Sequence, residues 1–265
     1  KTMNLKSKLV LALLATSSAA FAQTAPAAPE VTYNVGVVSQ YRYRGIAQTH
    51  GDAALQGGVD YANANGFYAG AWGSTIKWIK DNKAWDNTSD VKGNVEVDLY
   101  AGYKGEAAGI GYDFGYLRYE YVNNTLERTN AGASYVNANT EEVYGALTFG
   151  VVTAKYSYSL GDLFGNKNSN GSTYVDLSAT FDLGNGYSLV PHVGRQKIEN
   201  NPNGDYTDYA LTLNKDMGNG LSASLSAITT NAQGKATDAG GGFYRSAKGY
   251  DTAKNALVAG IKYSF

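Results

Sequence analysis

Residues 95–104 read VEVDLYAGYK, and apolar and polar side chains alternate along this stretch. Val97 and Leu99 fall on one face, while Glu96, Asp98 and Lys104 fall on the other. Successive side chains of a β-strand point to opposite faces, so this period of two predicts a strand with one apolar and one charged face.

The same alternation recurs along most of the chain and predicts an all-β protein. About twelve strands are expected, and most have ten to thirteen residues, near the length that a tilted strand needs to cross a bilayer. Their predicted ranges are 31–43, 52–61, 67–78, 94–104, 109–121, 141–149, 151–160, 173–182, 187–196, 206–215, 221–230 and 255–265.

The connections between these strands alternate in length. The short ones are rich in Asn and Gly, as hairpin turns are, and comprise 62–66, 105–108, Gly150, 183–186 and 216–220. The long ones are polar and comprise 44–51, 79–93, 122–140, 161–172, 197–205 and 231–254. Short turns on one side and long loops on the other are typical of an up-and-down transmembrane antiparallel β-barrel of the outer membrane.

Two of the predicted strands are irregular. In the strand over 109–121, Ile110 and Phe114 share one face, but Leu117 and Tyr119 lie on the other, so a bulge is expected to switch the phase. Pro191 removes a hydrogen-bond donor within the strand over 187–196.

The first 22 residues are expected to be a signal peptide. Lys6 and Lys8 precede the short apolar run LVLALLA at 9–15, and Ala20-Phe21-Ala22 has the pattern of a cleavage site. Residues 23–30 are then a short flexible lead-in, and residues 31–265 form the barrel.

Aromatic side chains cluster at the predicted strand ends, as in the interfacial girdles of a lipid-facing surface. This clustering predicts contact with outer-membrane lipids. At the short-turn end the predicted girdle contains Tyr33, Tyr61, Tyr68, Tyr103, Phe149, Phe181, Tyr187, Tyr263 and Phe265. At the long-loop end it contains Tyr41, Tyr43, Trp78 and Tyr158.

The polar faces carry charges of both signs, which we expect to face the lumen. These charges either brace the barrel wall or bias which solutes enter, and the sequence leaves both interpretations open. The candidates are Arg42, Asp60, Lys77, Glu96, Asp98, Glu142, Lys155 and Asp176.

The chain ends in GIKYSF, with Ile261, Tyr263 and Phe265 on one face. A terminal Phe behind alternating apolar residues is similar to the assembly signal of outer-membrane barrels. It predicts the barrel-assembly machinery as a partner.

Other chemistry has little support in the sequence. His50 and His192 have no nucleophile motif nearby, the loop acids Asp81, Asp86 and Asp90 lack calcium-loop spacing, and there is no cysteine. We therefore predict no catalytic residues, no metal and no cofactor. A net charge of −1 gives no support to nucleic-acid binding.

The segments SQYRYRGIAQT at 39–49, QGGVDY at 56–61 and GFYAGAWGS at 66–74 resemble the TorF-type porin family of proteobacterial outer-membrane proteins. The resemblance is strong over about 33–78. It implies outer-membrane location and porin activity, but no particular substrate.

The expected function is passive diffusion of small hydrophilic solutes, because a barrel of twelve strands has a narrow lumen. The alternatives are an outer-membrane enzyme of the lipase or protease type and a plugged structural barrel. The sequence predicts either a monomer or a homo-oligomer.

Overall fold

The computed structural model describes residues 29–82, 91–128, 135–238 and 241–265. The predicted signal peptide, most of the lead-in, Asp86 and Asp90 lie outside the described residues. The strands are β1 (Glu30–Val38), β2 (Arg42–Tyr43), β3 (Ile46–Ala47), β4 (Ala54–Ala62), β5 (Phe67–Thr75), β6 (Val95–Ala107), β7 (Ile110–Tyr121), β8 (Thr140–Phe149), β9 (Val152–Ser159), β10 (Thr173–Ala179), β11 (Phe181–Gly184), β12 (Tyr187–Lys197), β13 (Tyr206–Gly218), β14 (Leu221–Thr230) and β15 (Ala256–Ser264).

The described helical segments are short. They comprise α1 (Trp78–Asp81) and the 3-10 turns Leu126–Arg128, Leu163–Gly165 and Pro202–Gly204. Within the described part of the chain, no helix is both long enough and apolar enough to cross a membrane.

The sheet closes on itself, because β1 pairs antiparallel with β4 on one side and with β15 on the other. Val37, for example, lies opposite both Leu55 and Ile261. Closure leaves no strand edge with unpaired backbone groups, which would be costly in lipid. β10 and β11 are two parts of one wall strand, and β2 pairs only with β3, so the wall has twelve strands. The predicted fold class is confirmed.

The break between β10 and β11 lies opposite Pro191. Ser178 pairs with His192 and Phe181 pairs with Leu189, so one register continues across the break. That register places Pro191 opposite Ala179, the last residue of β10. Because proline has no N–H to donate, the ladder is interrupted where the sequence analysis found the strand irregular.

The predicted bulge in the fifth wall strand, β7, is wrong. β7 pairs in continuous register with β6 and β8 along its length. Phe114 and Tyr116 face outward, and so does Arg118, which forms ion pairs with Glu120 and Glu141 near the loop end. The apolar residues on the opposite face are Leu117, Tyr119 and Tyr121, which pack inside the barrel. The apolar residues on both faces of β7 are therefore explained by packing inside the barrel, and not by a bulge that moves the apolar residues from one face to the other.

The apolar face of the wall lies outside, as Leu257, Ile261 and Leu147 show by their exposure. The predicted place in the aromatic girdle is wrong for four residues. Tyr68 points inward from β5, and Tyr41, Tyr43 and Trp78 lie within the mouth of the barrel. Phe67 takes the place of Tyr68 on the outside. The exposed aromatic residues toward the loop end include Tyr156, Tyr158 and Tyr209.

Candidate functional site

The first long loop folds into the lumen as a small hairpin made of β2 and β3. Arg44 and Gly45 form its turn, both with positive φ (45° and 80°), as a type I′ turn requires. A Cβ on Gly45 would lie 2.7 Å from the Cβ of Asp208 on β13. The turn therefore touches the far wall and needs glycine for both its conformation and its close approach.

Arg44 anchors the tip of this hairpin to three other strands. Its guanidinium forms a bidentate ion pair with Glu142 of β8 and donates to Gln196 Oε1 of β12 at 3.0 Å. It also lies over the ring of Tyr174 of β10, 4.3 Å from the centroid. The side chains of Arg44 and Glu142 are only 4% and 2% exposed, so the pair is shielded from water.

Tyrosines fix the hairpin on the other side of the lumen. The Tyr41 hydroxyl donates to Glu96 Oε1 at 3.3 Å, and the Tyr41 ring packs edge-on against Trp72. The hydroxyls of Tyr43 and Tyr119 are hydrogen-bonded to each other, and Tyr119 donates to Glu142. These tyrosines hold the hairpin against the neighbouring wall strands β6 to β8, while Arg44 also reaches β10 and β12.

Arg42 does not lie on the first wall strand, as the sequence analysis expected, because β1 ends at Val38. It belongs to the hairpin, where Nη1 donates to the carbonyl oxygens of Gly45 and Thr252. Arg42 therefore joins the first loop to the last one. The sequence predicts a first strand that reaches residue 43 because Tyr41 and Tyr43 continue the alternation of β1.

The hairpin fills the outer half of the lumen. There, Glu96, Glu142, Asp176 and Asp208 face inward and are each at most 2% exposed. Toward the short turns, the inward-facing Asp60 and Lys155 are partly exposed, whereas Lys262 is buried. The partly exposed charges of the lumen thus lie on the short-turn side, and Asp98 stands between the two halves.

Flat tyrosine rings line the short-turn half, each lying over a glycine of the neighbouring strand. Tyr100 covers Gly70, and Tyr144 covers Gly115, where an added Cβ would lie 2.5 Å from the ring. Tyr68 covers Gly102 and donates to Asp113 at 2.5 Å. Glycine gives each ring room against the backbone. The result is a polar lining made of tyrosine hydroxyls and their carboxylate acceptors.

His192 of β12 lies between two carboxylates. Its Nδ1 is 3.0 Å from Asp176 Oδ2, and its Nε2 is 2.9 Å from Asp208 Oδ1. Tyr174 also donates to Asp208, at 2.9 Å. Because both ring nitrogens already contact acids, this histidine braces β10, β12 and β13 and has no free nitrogen with which to act as a general base.

Lys77 lies at the outer rim and not on a wall strand, because β5 ends at Thr75. Its ammonium pairs with Asp52, and both side chains are about half exposed. The hydrogen bond and charge of Lys77 lower the pKa of Asp52. This pair joins two loops at the surface.

Asp81 of α1 joins three loops. It contacts His50 Nδ1 at 2.7 Å and accepts from Lys248 Nζ at 2.6 Å. Burial raises the pKa of this carboxyl, but the hydrogen bonds from His50 and Lys248 outweigh burial and lower it overall. We call Asp81, His50 and Lys248 the loop latch. The sequence analysis weighed Asp81 only as a calcium ligand and missed this role.

The predicted site residues therefore fall into three places. The wall residues that face the lumen are Asp60, Glu96, Asp98, Glu142, Lys155 and Asp176. Arg42 lies in the inward hairpin, and Lys77 lies at the rim. The sequence analysis placed Arg44 in a loop and left it out of the candidates, although the Arg44-Gly45 dipeptide was a turn signal. Among the described residues, no group of three or more His, Cys, Asp or Glu side chains is arranged to hold a metal ion.

A closed barrel with an apolar outer face and a charged lumen is a transmembrane protein of the outer-membrane class. Residues 22–265 match the model of the family described as "Bacterial protein of unknown function (Gcw_chp)", and the chain belongs to that family. The description of this family does not carry the TorF name. No curated protein is similar in sequence.

Two solved porin structures share this fold, and a phospholipase structure is less similar. The KdgM porin is 8% identical, with 89% of this chain and 98% of that chain covered and a TM-score of 0.50. The NanC porin is 12% identical, with coverages of 88% and 99% and a TM-score of 0.50. Outer membrane phospholipase A from Escherichia coli is 12% identical, with coverages of 88% and 92% and a TM-score of 0.45.

Proposed function

We propose that this protein is an outer-membrane channel for small hydrophilic solutes, and that the inward hairpin closes its lumen until it moves. One observation carries the proposal. Arg44 holds the hairpin across the lumen by its ion pair with Glu142, while the half of the lumen beyond it keeps charged, partly exposed side chains such as Asp60 and Lys155.

The wall charges have different roles in this proposal. Asp60 and Lys155 act on solutes in the short-turn half and Asp98 acts at its border, as mixed charges set the field of a pore. Glu96, Glu142 and Asp176 brace the closed state and meet solutes only after the hairpin has moved. Arg42 and Lys77 hold the loops together.

The proposal includes the partners that the sequence predicted. The exposed apolar belt fits outer-membrane lipids, and the C-terminal residues Ile261, Tyr263 and Phe265 all lie on the outer face, where the assembly machinery would read them. The kinship with TorF-type porins, based on the segments between 39 and 74, is part of the same proposal. Size-exclusion chromatography of the purified protein distinguishes a monomer from a homo-oligomer.

Single-channel conductance in a planar bilayer tests the proposal. The wild-type protein should show small or rare current steps, and Arg44→Ala should increase their size or frequency because it frees the hairpin. Arg118→Ala is the matched control, since it removes an arginine from ion pairs on the outer face. Folded protein with no conductance in either the wild type or Arg44→Ala would refute the channel and favour the plugged structural barrel.

An enzyme remains the alternative of a different class. It requires turnover of phospholipid or peptide by the folded wild-type protein, with loss of turnover in His192→Ala or His50→Ala. Because both nitrogens of His192 contact carboxylates, we expect no such turnover.

A further inference from the structure

A cavity of about 140 Å³ lies in the mouth of the barrel, above the inward hairpin. Eight segments line it: the first loop, α1 with Asn82, the end of β7, Tyr135, the 3-10 turn at Leu163–Gly165 with Asn166, the end of β12, the start of β13 and the last loop. No single segment builds it, so its shape depends on how these segments pack together. The proposed channel function does not use it.

Aromatic rings dominate the lining of this cavity. The rings of Trp78 and Tyr121 are perpendicular, and their centroids are 5.3 Å apart. The rings of Tyr43 and Phe164 are nearly perpendicular, with centroids 5.8 Å apart. Perpendicular pairs offer an inserted ring both faces and edges, which is the preferred arrangement of aromatic contacts. An apolar cavity of roughly 150 Å³ accommodates benzene, so this one fits a single six-membered ring.

Arg245 is the one charged side chain among the described residues that line the cavity. It is partly buried, and its guanidinium has no hydrogen bond or ion pair within the described part of the chain. Guanidinium groups bind carboxylates through two parallel hydrogen bonds. The charge of this cavity is therefore complementary to an anion.

A second polar group of the cavity also lacks a partner. The indole Nε1 of Trp78 is buried and makes no hydrogen bond with any of the described residues. Indole nitrogen can only donate, and a buried donor without an acceptor is costly. A ligand oxygen would satisfy it.

We propose that this cavity binds a monocyclic aromatic carboxylate, with the ring among Trp78, Tyr121 and Phe164 and the carboxylate on Arg245. The ring size follows from the volume, the aromatic character from the lining, and the negative charge from Arg245. The inference rests on the proposed function in one respect, since such an acid would be one solute of the channel. Binding to the cavity does not itself require an open lumen.

Isothermal titration calorimetry of the purified full-length protein with benzoate tests this proposal. Benzoate should bind with one site per chain, and Arg245→Gln should weaken binding by about tenfold or more, the usual effect of losing a charged hydrogen bond. Arg245→Lys should retain part of the affinity. Arg195→Gln should leave binding unchanged, because Arg195 is half exposed on the outer face of β12.

Two further probes separate charge from shape. Benzamide, which is neutral but has the same ring, should bind more weakly than benzoate. Glucuronate, which has the charge but a hydroxylated ring, should also bind more weakly. No heat with benzoate, equal affinity in Arg245→Gln, or tighter binding of glucuronate would each overturn the inference. Conductance measured without ligand tests the channel separately, so the two failures are distinguishable.

Discussion

Arg44 and Glu142 lie 98 residues apart in the chain and meet inside the barrel as a bidentate ion pair, with Nη1–Oε1 at 2.9 Å and Nη2–Oε2 at 2.7 Å. Arg44 comes from a loop, and Glu142 comes from the wall. Removing either partner leaves a buried charge without its counter-ion, which is far more costly than losing an exposed pair.

A double-mutant cycle should reveal this coupling. Arg44→Ala and Glu142→Ala should each lower the free energy of unfolding by about 3–5 kcal/mol, because each leaves a buried charge uncompensated. The double variant should lose less than the sum of the two. The measurement is reversible urea unfolding of the protein in lipid vesicles.

The control for that cycle is the outer-surface pair Arg118–Glu120, whose side chains are 38% and 36% exposed. Coupling there should be at most about 1 kcal/mol, since water screens exposed pairs. Additive effects of Arg44→Ala and Glu142→Ala would show that the buried pair does not act as a unit.

Gly102→Ala should destabilise the barrel by about 1–3 kcal/mol, as overpacking usually does. The new methyl group would collide with the Tyr68 hydroxyl and with the backbone oxygen of Phe114, which cannot move away. Gly161→Ala is the matched control, because nothing lies within 4 Å of an added Cβ there. Thermal unfolding, followed by the band shift of unheated and heated samples on gels, measures both. Equal stability of the two variants would contradict the tyrosine–glycine packing.

The loop latch should open in acid. The pKa of Asp81 is lower in the folded protein than its usual value, so its charged form stabilises the latch fully above about pH 4. That contribution is lost as the pH falls through the lower folded pKa. The protection of the amides near residues 42–52 and 243–252, that is, their exchange rate relative to the intrinsic rate at the same pH, should therefore be high at neutral pH and lower near about pH 3.

Two variants separate the latch from other acid effects. Asp81→Asn should give fast exchange of the same loops already at neutral pH. Asp52→Asn should change exchange little, since its pair with Lys77 is exposed. Slow exchange in Asp81→Asn would mean that other contacts hold the loops.

Phe265→Ala should slow assembly of the barrel. The backbone of Phe265 exchanges two hydrogen bonds with Tyr33, both 2.9 Å long, and the two rings stack at 5.8 Å. The substitution keeps the backbone bonds but removes the aromatic group at the end of the closing strand. Pulse-chase labelling with a folding-sensitive gel measures the rate. Phe149→Ala, which removes an exposed aromatic residue at another turn, should have a smaller effect.

The wall of the barrel was predictable because its signals are local. Alternation over 95–104 or 221–230 identifies a strand without knowledge of its neighbours, and Asn-Gly dipeptides at Asn185 and Asn219 mark the turns. A closed barrel was expected because short turns alternate with long loops along the chain.

The contents of the lumen were not predictable in the same way. Tyr41-Arg42-Tyr43-Arg44 alternates like a wall strand, yet Gly45 turns it back into the barrel. Nothing local distinguishes the two outcomes, because the partners of Arg44 are Glu142, Tyr174 and Gln196, which only the closed barrel brings together. The cavity above the hairpin has the same origin, since its lining comes from eight separate segments.

Because tyrosines cover glycines on the inner wall, the width of the lumen is not set by the number of strands alone. Where a wall residue is glycine, the inner surface belongs to the ring of a neighbouring strand, and the backbone behind it makes no contribution to the width. Replacing Tyr68 or Tyr144 with serine would therefore widen the passage while every ladder hydrogen bond stays in place. A chain of this kind can change the size of what it admits by single substitutions, without redesign of its architecture.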